Sequence, residues 1–298
     1  MEKPLALKTV AVFARDQREI EAAARFLEWG AKVLGYGFST SSGTVETVRC
    51  AMQAVRAADY VVAPVLGCDD QGWVQVLEGP PVVVDEAFFS AMKPGAVFFI
   101  GKASKSVRAA AGQVGVRLVE FREDDEFAIL NSIPSAEGAV ELAMKEAPIT
   151  IHGSCSYVLG YGRTGTTLAG LLKDMGALVT VFARRRSQRA RIRADGLQPQ
   201  GFDELPGAIG AADLLFNTVP ALVVGEQVLL HARRDLVIID LASKPGGVDF
   251  GLAERLGIKA VLAPGLPGLV APRTAGRIMA EVILSLICAE PSVTRDHR

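Results

Sequence analysis

The sequence predicts an α/β protein made of two doubly wound parallel-sheet domains, the C-terminal one a Rossmann dinucleotide-binding domain. Three observations carry this. Short apolar runs alternate with helix-forming stretches along almost the whole chain, as parallel strands covered on both faces require. Half of the 298 residues are hydrophobic but only 6% are aromatic, which suits Val/Ala/Leu-rich sheets and supplies two cores. One apolar run, Ser156 to Leu159, also breaks into Gly160-Tyr161-Gly162-Arg163-Thr164-Gly165, a G-x-G-x-x-G that opens a helix.

In chain order, Thr9 to Phe13 is a first strand and Gln17 to Trp29 a helix, with Gly30 just past its end. Lys32 to Tyr36 is a second strand, Phe38 to Gly43 a loop rich in Ser, Thr and Gly, and Val45 to Ala57 an amphipathic helix. Strands follow at Tyr60 to Pro64, Val82 to Val84, Ala96 to Ile100 and Arg117 to Glu120, separated by helical stretches at Glu86 to Met92 and Ser104 to Val114. Arg122 to Asp125 is charged and expected to be exposed. Ser135 to Lys145 reads as a connecting helix capped by Ser135 and ended before Pro148. The expected boundary follows: residues 1–148 form a flavodoxin-like α/β substrate domain, and residues 149–298 an NAD(P)-binding Rossmann domain. Strands of the latter lie at Ser156 to Leu159, Leu178 to Phe182, Leu214 to Thr218, Leu236 to Asp240 and Lys259 to Leu262. The closing helix, Arg273 to Ala289, can finish this domain or fold back onto the first.

The three glycines have separate duties in a dinucleotide site. Gly160 permits the tight turn, Gly162 lets backbone approach a pyrophosphate, and Gly165 lets helix and strand pack closely. Arg163 and Thr164 lie between them at the helix N-terminus, whose N–H groups favour an anion. The acidic residue that would receive an NAD ribose at the end of the next strand is missing. Ala183, Arg184, Arg185, Arg186 and Ser187 stand there instead, and guanidinium and hydroxyl groups favour a 2′-phosphate. NADP is the expected cofactor, with NAD possible. Arg189, Arg191 and Arg193 read as a solvated basic helix face.

The remaining counts exclude other classes. The net charge of −1, without an aromatic platform, argues against nucleic acid as a partner. Cys50, Cys68, Cys155 and Cys288 are scattered and read as small buried hydrophobes in a reducing cytoplasm; His152, His231 and His297 lack ligand spacing, so no metal is expected. No leader precedes the first strand, and no apolar run is long enough to span a bilayer, so a cytoplasmic location is expected.

Ligands of open α/β sheets lie beyond the carboxyl ends of the strands. Thr218, Val219 and Pro220 lie at the end of the strand that begins at Leu214. Leu241, Ala242, Ser243 and Lys244 follow the strand ending at Asp240, and Pro264 and Gly265 the one ending at Leu262. All but Lys244 are read as cofactor contacts, and Lys244 as the polar group nearest a nicotinamide. In the first domain, Arg18 and Lys102 stand at strand-to-helix edges where a carboxylate could bind, and Asn131 and Ser132 are expected to face the cleft between the domains.

Several stretches together resemble a family of spore-forming bacteria, the A subunit of dipicolinate synthase. They are Asn131 to Gly138, Ile151 to Ser154 leading into the glycine motif, Leu241 to Phe250, and Ala263 to Gly276. At the N-terminus the chain differs, with Ala14 and Arg15 where the family has two glycines before Asp16 and Arg18. The resemblance implies an NADP-dependent oxidoreductase that oxidises dihydrodipicolinate to dipicolinate for spore formation. It further implies a partner, the flavoprotein-like B subunit of dipicolinate synthase, together with a small dicarboxylate substrate and a homo-oligomer. Lys244 and Arg18 would receive the carboxylates, with Asn131 and Ser132 orienting the ring; no general base is singled out. Two other functions fit the same residues, a dehydrogenase of another small acid (shikimate- or 2-hydroxyacid-type) and a non-catalytic NADP-binding subunit.

Overall fold

The structure, a computed structural model, describes residues 3–39 and 45–289. The first apolar run forms β1 (Thr9–Phe13), buried beyond its first residue as a doubly covered strand must be. Asp16 caps α1 (Gln17–Glu28), and the Glu19 carboxylate reaches back to the Asp16 N–H, completing a capping box. There follow β2 (Lys32–Tyr36), β3 (Glu46–Thr47), α2 (Ala51–Ala57) and β4 (Tyr60–Val62). The loop expected over Phe38 to Gly43 lies, from residue 40 on, outside the described residues.

The helix expected from Val45 begins only at Ala51. Glu46 and Thr47 instead pair with Leu34 and Gly35 as an edge strand, in keeping with the β-branched Val45, Thr47 and Val48 around them. A second correction concerns Val82. β5 (Trp73–Val74) and β6 (Val82–Val83) form an antiparallel hairpin apart from the main sheet. After them come α3 (Glu86–Ser90), β7 (Val97–Ile100), α4 (Lys105–Val114) and β8 (Arg117–Glu120).

The parallel sheet has the order β3-β2-β1-β4-β7-β8. Without β3 this would be the flavodoxin-like 2-1-3-4-5 order expected for the first domain; with it, the order is the 3-2-1-4-5-6 of dinucleotide-binding domains. A two-residue strand decides the topology. Its core is aromatic, with the rings of Phe13, Phe88, Phe89 and Phe98 meeting edge to face.

α5 (Asp125–Glu146) is one helix of 22 residues, so the helix expected from Ser135 begins ten residues earlier and Ser135 is not a cap. Pro134 removes an amide from the ladder, yet hydroxyls bind nearby carbonyls: Ser132 Oγ donates to the Ile129 carbonyl at 2.6 Å and Ser135 Oγ to that of Asn131 at 2.8 Å. The chain continues through β9 (Cys155–Leu159), α6 (Arg163–Asp174), β10 (Leu178–Phe182), α7 (Arg186–Ala194), β11 (Gln198–Gln200), α8 (Leu205–Ala208) and β12 (Leu214–Asn217). Next come α9 (Glu226–Leu229), β13 (Val237–Asp240), α10 (Phe250–Leu256), β14 (Lys259–Leu262), α11 (Leu266–Val270) and α12 (Pro272–Cys288). This second parallel sheet, β11-β10-β9-β12-β13-β14, repeats the first order. Alternate residues enter opposite cores, Val158 and Phe216 on one face, Tyr157, Leu159 and Leu215 on the other.

Contacts divide the chain into two units, Met1–Ala128 with Pro272–Arg298, and Ile129–Ala271. The expected boundary at 148/149 therefore moves into α5, and the C-terminal helix joins the first unit rather than the second. Gly276 shows why α12 belongs there: a Cβ on it would lie 2.5 Å from the Arg18 carbonyl oxygen, so the backbones of α12 and α1 are in close contact. None of the four cysteines is buried, contrary to expectation; Cys50 and Cys288 are exposed, Cys68 and Cys155 half-buried. Among the described residues no helix is long and apolar enough to cross a membrane, and no group of three or more His, Cys, Asp or Glu could hold a metal ion.

Candidate dinucleotide-binding site

In the second unit the switch point lies between β9 and β12, which run parallel to each other at the centre of the sheet. The glycine turn sits there, and its three glycines are required for different reasons. Gly160 is at φ +94°, and a Cβ on it would meet Thr218 Oγ1 at 2.6 Å. A Cβ on Gly165 would lie 2.2 Å from the Gly160 carbonyl oxygen. Both are demanded by the fold itself. Gly162 is not. Its φ of −97° suits any residue, and a Cβ there would meet nothing within 4 Å.

Gly162 is also the N-cap of α6 and supplies no side-chain cap. The first-turn N–H groups therefore keep their positive potential for an external anion. Arg163 is exposed and Thr164 half-buried at this helix end. The bare, open backbone is a cradle that a side chain would fill, and it fits a pyrophosphate.

Beyond β10, Ala183 is buried and extends the pairing through its N–H to the Gln200 carbonyl, whereas Arg184, Arg185, Arg186 and Ser187 are exposed at the start of α7. Arg189 departs from the plain solvated face expected of it, whereas Arg191 and Arg193 keep to it. Arg189 Nη1 donates to the carbonyls of Ala183 and Arg184, at 2.9 and 3.0 Å, and so braces the basic turn. Arg191 pairs with Asp195 at 3.1 Å; Arg193 is exposed. Tyr161 links this turn to the glycines. Its hydroxyl donates to Asp195 Oδ2 at 2.7 Å, and Gln188 Nε2 donates to its carbonyl at 3.2 Å. Tyr161, Thr166, Ser187, Gln188, Arg191 and Asp195 line a groove of about 330 Å³.

Burial, then the Asp195 hydrogen bond, pushes the Tyr161 phenol well above its ordinary value, and burial raises the other three tyrosines, Tyr36, Tyr60 and Tyr157. Raised folded-state values contribute stability that is present below the ordinary value of 10.0 and lost as pH rises through the folded ones. An ultraviolet titration of the native protein is expected to show tyrosinate only above pH 10.0, and at the ordinary midpoint once urea unfolds the chain. Coincident native and unfolded curves would contradict this.

The loops after β12 and β13 are built around one carboxylate. Asp240, fully buried, accepts from Asn217 Nδ2 at 2.8 Å and Ala242 N at 2.9 Å on one oxygen, and from Gly247 N at 2.7 Å on the other. Asn217, also fully buried, exchanges hydrogen bonds with Val219 N and O, both at 3.0 Å. Gly246 and Gly247 wrap this pair so closely that a Cβ on either would come within 2.6 Å of it. The result is a stiff loop with exposed Ser243 and Lys244 at its tip, above half-buried Leu241 and buried Ala242. Thr218 and Val219 are half-buried and Pro220 exposed, with Thr218 Oγ1 donating to the Leu159 carbonyl at 2.8 Å. The reading by residue type passed over Asp240. Its signal was register: Asn217 and Asp240 end adjacent strands opposite each other. Pro264 is exposed; Gly265, at φ +74°, caps α11.

On α5, Ser132 is buried and its Oγ lies 2.6 Å from Thr167 Oγ1, which ties α5 to the glycine-turn helix α6. Asn131 Oδ1 is buried with no hydrogen-bond partner among the described residues.

The first unit has the same strand order but the opposite provision. The turn after β1 lacks glycine, and its amides are already taken: Glu19 Oε2 accepts from Arg15 N and Asp16 N, and Oε1 from Val65 N at 3.0 Å. Glu19 is fully buried, and burial raises its carboxyl above the ordinary range. A side-chain carboxylate thus occupies the position where a phosphate would need free N–H groups. Arg18, only 3% exposed, directs Nε and Nη2 to Asp16 at 2.9 and 2.7 Å; Lys102 is exposed.

A family model described as the N-terminal domain of the dipicolinate synthase A subunit matches residues 9–122. The A subunit of dipicolinate synthase from Bacillus subtilis (strain 168) is 38% identical over 282 residues, 93% of this chain and 95% of that protein. The crystal structure of the corresponding A subunit from Bacillus halodurans superposes with a TM-score of 0.89 at 36% identity, covering 96% of this chain and 99% of that one. A transhydrogenase from Sinorhizobium meliloti, 14% identical with a TM-score of 0.65 over 94% of this chain and 93% of its own, shares the fold.

Proposed function

The chain belongs to the family of dipicolinate synthase A subunits, and on that premise we propose that it is an NADP-dependent oxidoreductase which oxidises dihydrodipicolinate to dipicolinate. The observation that carries the reading is Gly162, a glycine that neither backbone angle nor packing requires, at the uncapped start of α6. A nicotinamide dinucleotide held there supplies a hydride acceptor. Gly160, Gly162, Arg163, Thr164 and Gly165 hold the pyrophosphate, and the loops through Thr218 to Pro220 and Leu241 to Ser243 flank the nicotinamide half. Exposed Arg184, Arg185 and Ser187, with no carboxylate in the turn, favour the 2′-phosphate.

Lys244, at the tip of a loop clamped by Asp240, receives a carboxylate of the substrate. Asn131 and Ser132 orient its ring. The loss of a ring hydride to the coenzyme and of a ring proton to solvent yields an aromatic product, so the protein has chiefly to align the reacting atoms. The proposal extends to a second protein of the same enzyme, since the relatives are each named as one subunit of it.

Turnover of dihydrodipicolinate, followed through NADPH absorbance with and without that second protein, tests the reading. NADP is expected to exceed NAD in kcat/KM by at least tenfold, and the Arg184→Glu/Arg185→Glu pair to erase that preference, since charge-assisted hydrogen bonds contribute about 1.5–3 kcal/mol each. Equal use of NAD by the unaltered chain would refute the coenzyme choice. Absence of turnover under both conditions would refute the reaction.

A further inference from the structure

The basic turn beyond β10 sits at the head of a weakly anchored helix. Of the nine residues of α7 only Ile192 is buried, and no side chain caps its first turn. A helix this short is held mainly by its buried face, so apolar packing does little to fix where Arg184, Arg185 and Ser187 stand. Polar ties take over that task, and they converge on Tyr161, the residue between Gly160 and Gly162. At the head of α7, Gln188 Nε2 donates to the Tyr161 carbonyl at 3.2 Å. Just past its end, Asp195 Oδ2 accepts from the Tyr161 hydroxyl at 2.7 Å. One residue of the glycine turn thus grips α7 at two points seven residues apart, about 10 Å along a helix axis. Asp195 is fixed in turn from α6, whose Lys173 Nζ donates to its carbonyl at 2.7 Å. Ser187 and Gln188 line the same groove as Tyr161, so the phenol and the start of α7 share one cavity.

We propose that Tyr161 is a positioning residue for coenzyme choice, holding the basic turn at the one spacing from the glycine turn that lets a single NADP molecule reach both. The adenosine half of NADP carries two anionic groups on one ribose, the pyrophosphate at the 5′ carbon and the phosphate at the 2′ carbon. The first needs the open amides of the glycine turn; the second needs guanidinium and hydroxyl groups that a displaced α7 would carry away. NAD has only the first. A shift of α7 against α6 therefore weakens NADP and leaves NAD as it was, whereas damage to the glycine turn weakens both. The phenol–carboxylate hydrogen bond suits a fixed strut. It is the leading reason that the Asp195 carboxyl lies below its ordinary range, while burial, and then Asp195, push the phenol above its own, so donor and acceptor keep their roles through neutral pH. This rests on the NADP reading given above, to which it adds a residue whose side chain acts through α7.

Calorimetric titration of the intact protein with NADP, and separately with NAD, tests it in the wild type, Tyr161→Phe, Asp195→Ala and the double variant, with Asp195→Asn as the conservative replacement. Tyr161→Phe removes one hydroxyl and keeps the ring. It is expected to weaken NADP about five- to tenfold while NAD stays within about twofold of the wild type. Asp195→Ala should do the same, since its exposed pair with Arg191 adds little. The double variant should be no worse than either single one, because both remove the same hydrogen bond. Asp195→Asn keeps an acceptor for the phenol and should retain most of the preference for NADP. Full retention of that preference by Tyr161→Phe overturns the inference and leaves the coenzyme reading intact. An equal loss for NADP and NAD also overturns it, since Tyr161 would then support only the glycine turn. A wild type that binds the two coenzymes equally overturns both.

Discussion

Gly162→Asp is expected to abolish dinucleotide binding while leaving the protein as stable as the wild type, or a few tenths of a kcal/mol more so. The two effects have opposite signs for one physical reason. Aspartate is a better N-cap than glycine, and its carboxylate would accept from the first-turn amides of α6 that glycine leaves open. The same carboxylate then occupies and repels the place of a pyrophosphate. Affinity should fall at least a hundredfold, about 2.7 kcal/mol. Gly165→Val provides the contrast. Its Cβ, 2.2 Å from the Gly160 carbonyl oxygen, forces the turn apart, so stability and binding fall together, the former by about 1–3 kcal/mol or more. Thermal melting and calorimetric titration of the two variants separate these outcomes. If Gly162→Asp binds NADP normally, the open backbone is not where the pyrophosphate rests.

The second large effect is expected at Asp240. Truncation to alanine leaves Asn217 Nδ2, Ala242 N and Gly247 N without their acceptor in a site closed to water. At about 1–3 kcal/mol for each unsatisfied donor, with partial relaxation, the loss should reach about 3–5 kcal/mol in urea denaturation. Asp240→Asn keeps one acceptor but turns an N–H₂ group toward a backbone N–H, and should fall between the two. Because Asp240 holds both feet of the loop that carries Lys244, turnover in the asparagine variant should drop more than NADP affinity. A loss below about 1 kcal/mol in the alanine variant would show that the loops hold their shape without it.

What could be read from the sequence follows a physical division. Strands such as Thr9 to Phe13 and Leu178 to Phe182 are buried on both faces, so each is an apolar run, and the glycine motif declares itself through the turn it must make. Elements whose pairing, not composition, defines them escaped. β3 is Glu46 and Thr47, both exposed, and β11 is Gln198 to Gln200 around a proline; neither has an apolar signature. α5 passes through Pro134, a residue that locally argues for a break, because hydroxyls of Ser132 and Ser135 bind neighbouring carbonyls. The assignment of α12 to the first unit depends on Gly276 meeting α1 at the far end of the chain, and no local pattern encodes that contact. Asp240 was missed because a charged residue in a list of residues looks solvated until its neighbours show that it is not.

Two sheets of identical order in one chain raise the question of how many dinucleotides it binds. The glycine turn of the second unit leaves its amides open, whereas the corresponding turn of the first has given them to Glu19. Calorimetric titration of the intact chain with NADP should therefore reach saturation at one molecule per chain. A stoichiometry of two would mean that Glu19 does not block the first turn, and the absence of any heat would mean that the second turn holds no dinucleotide.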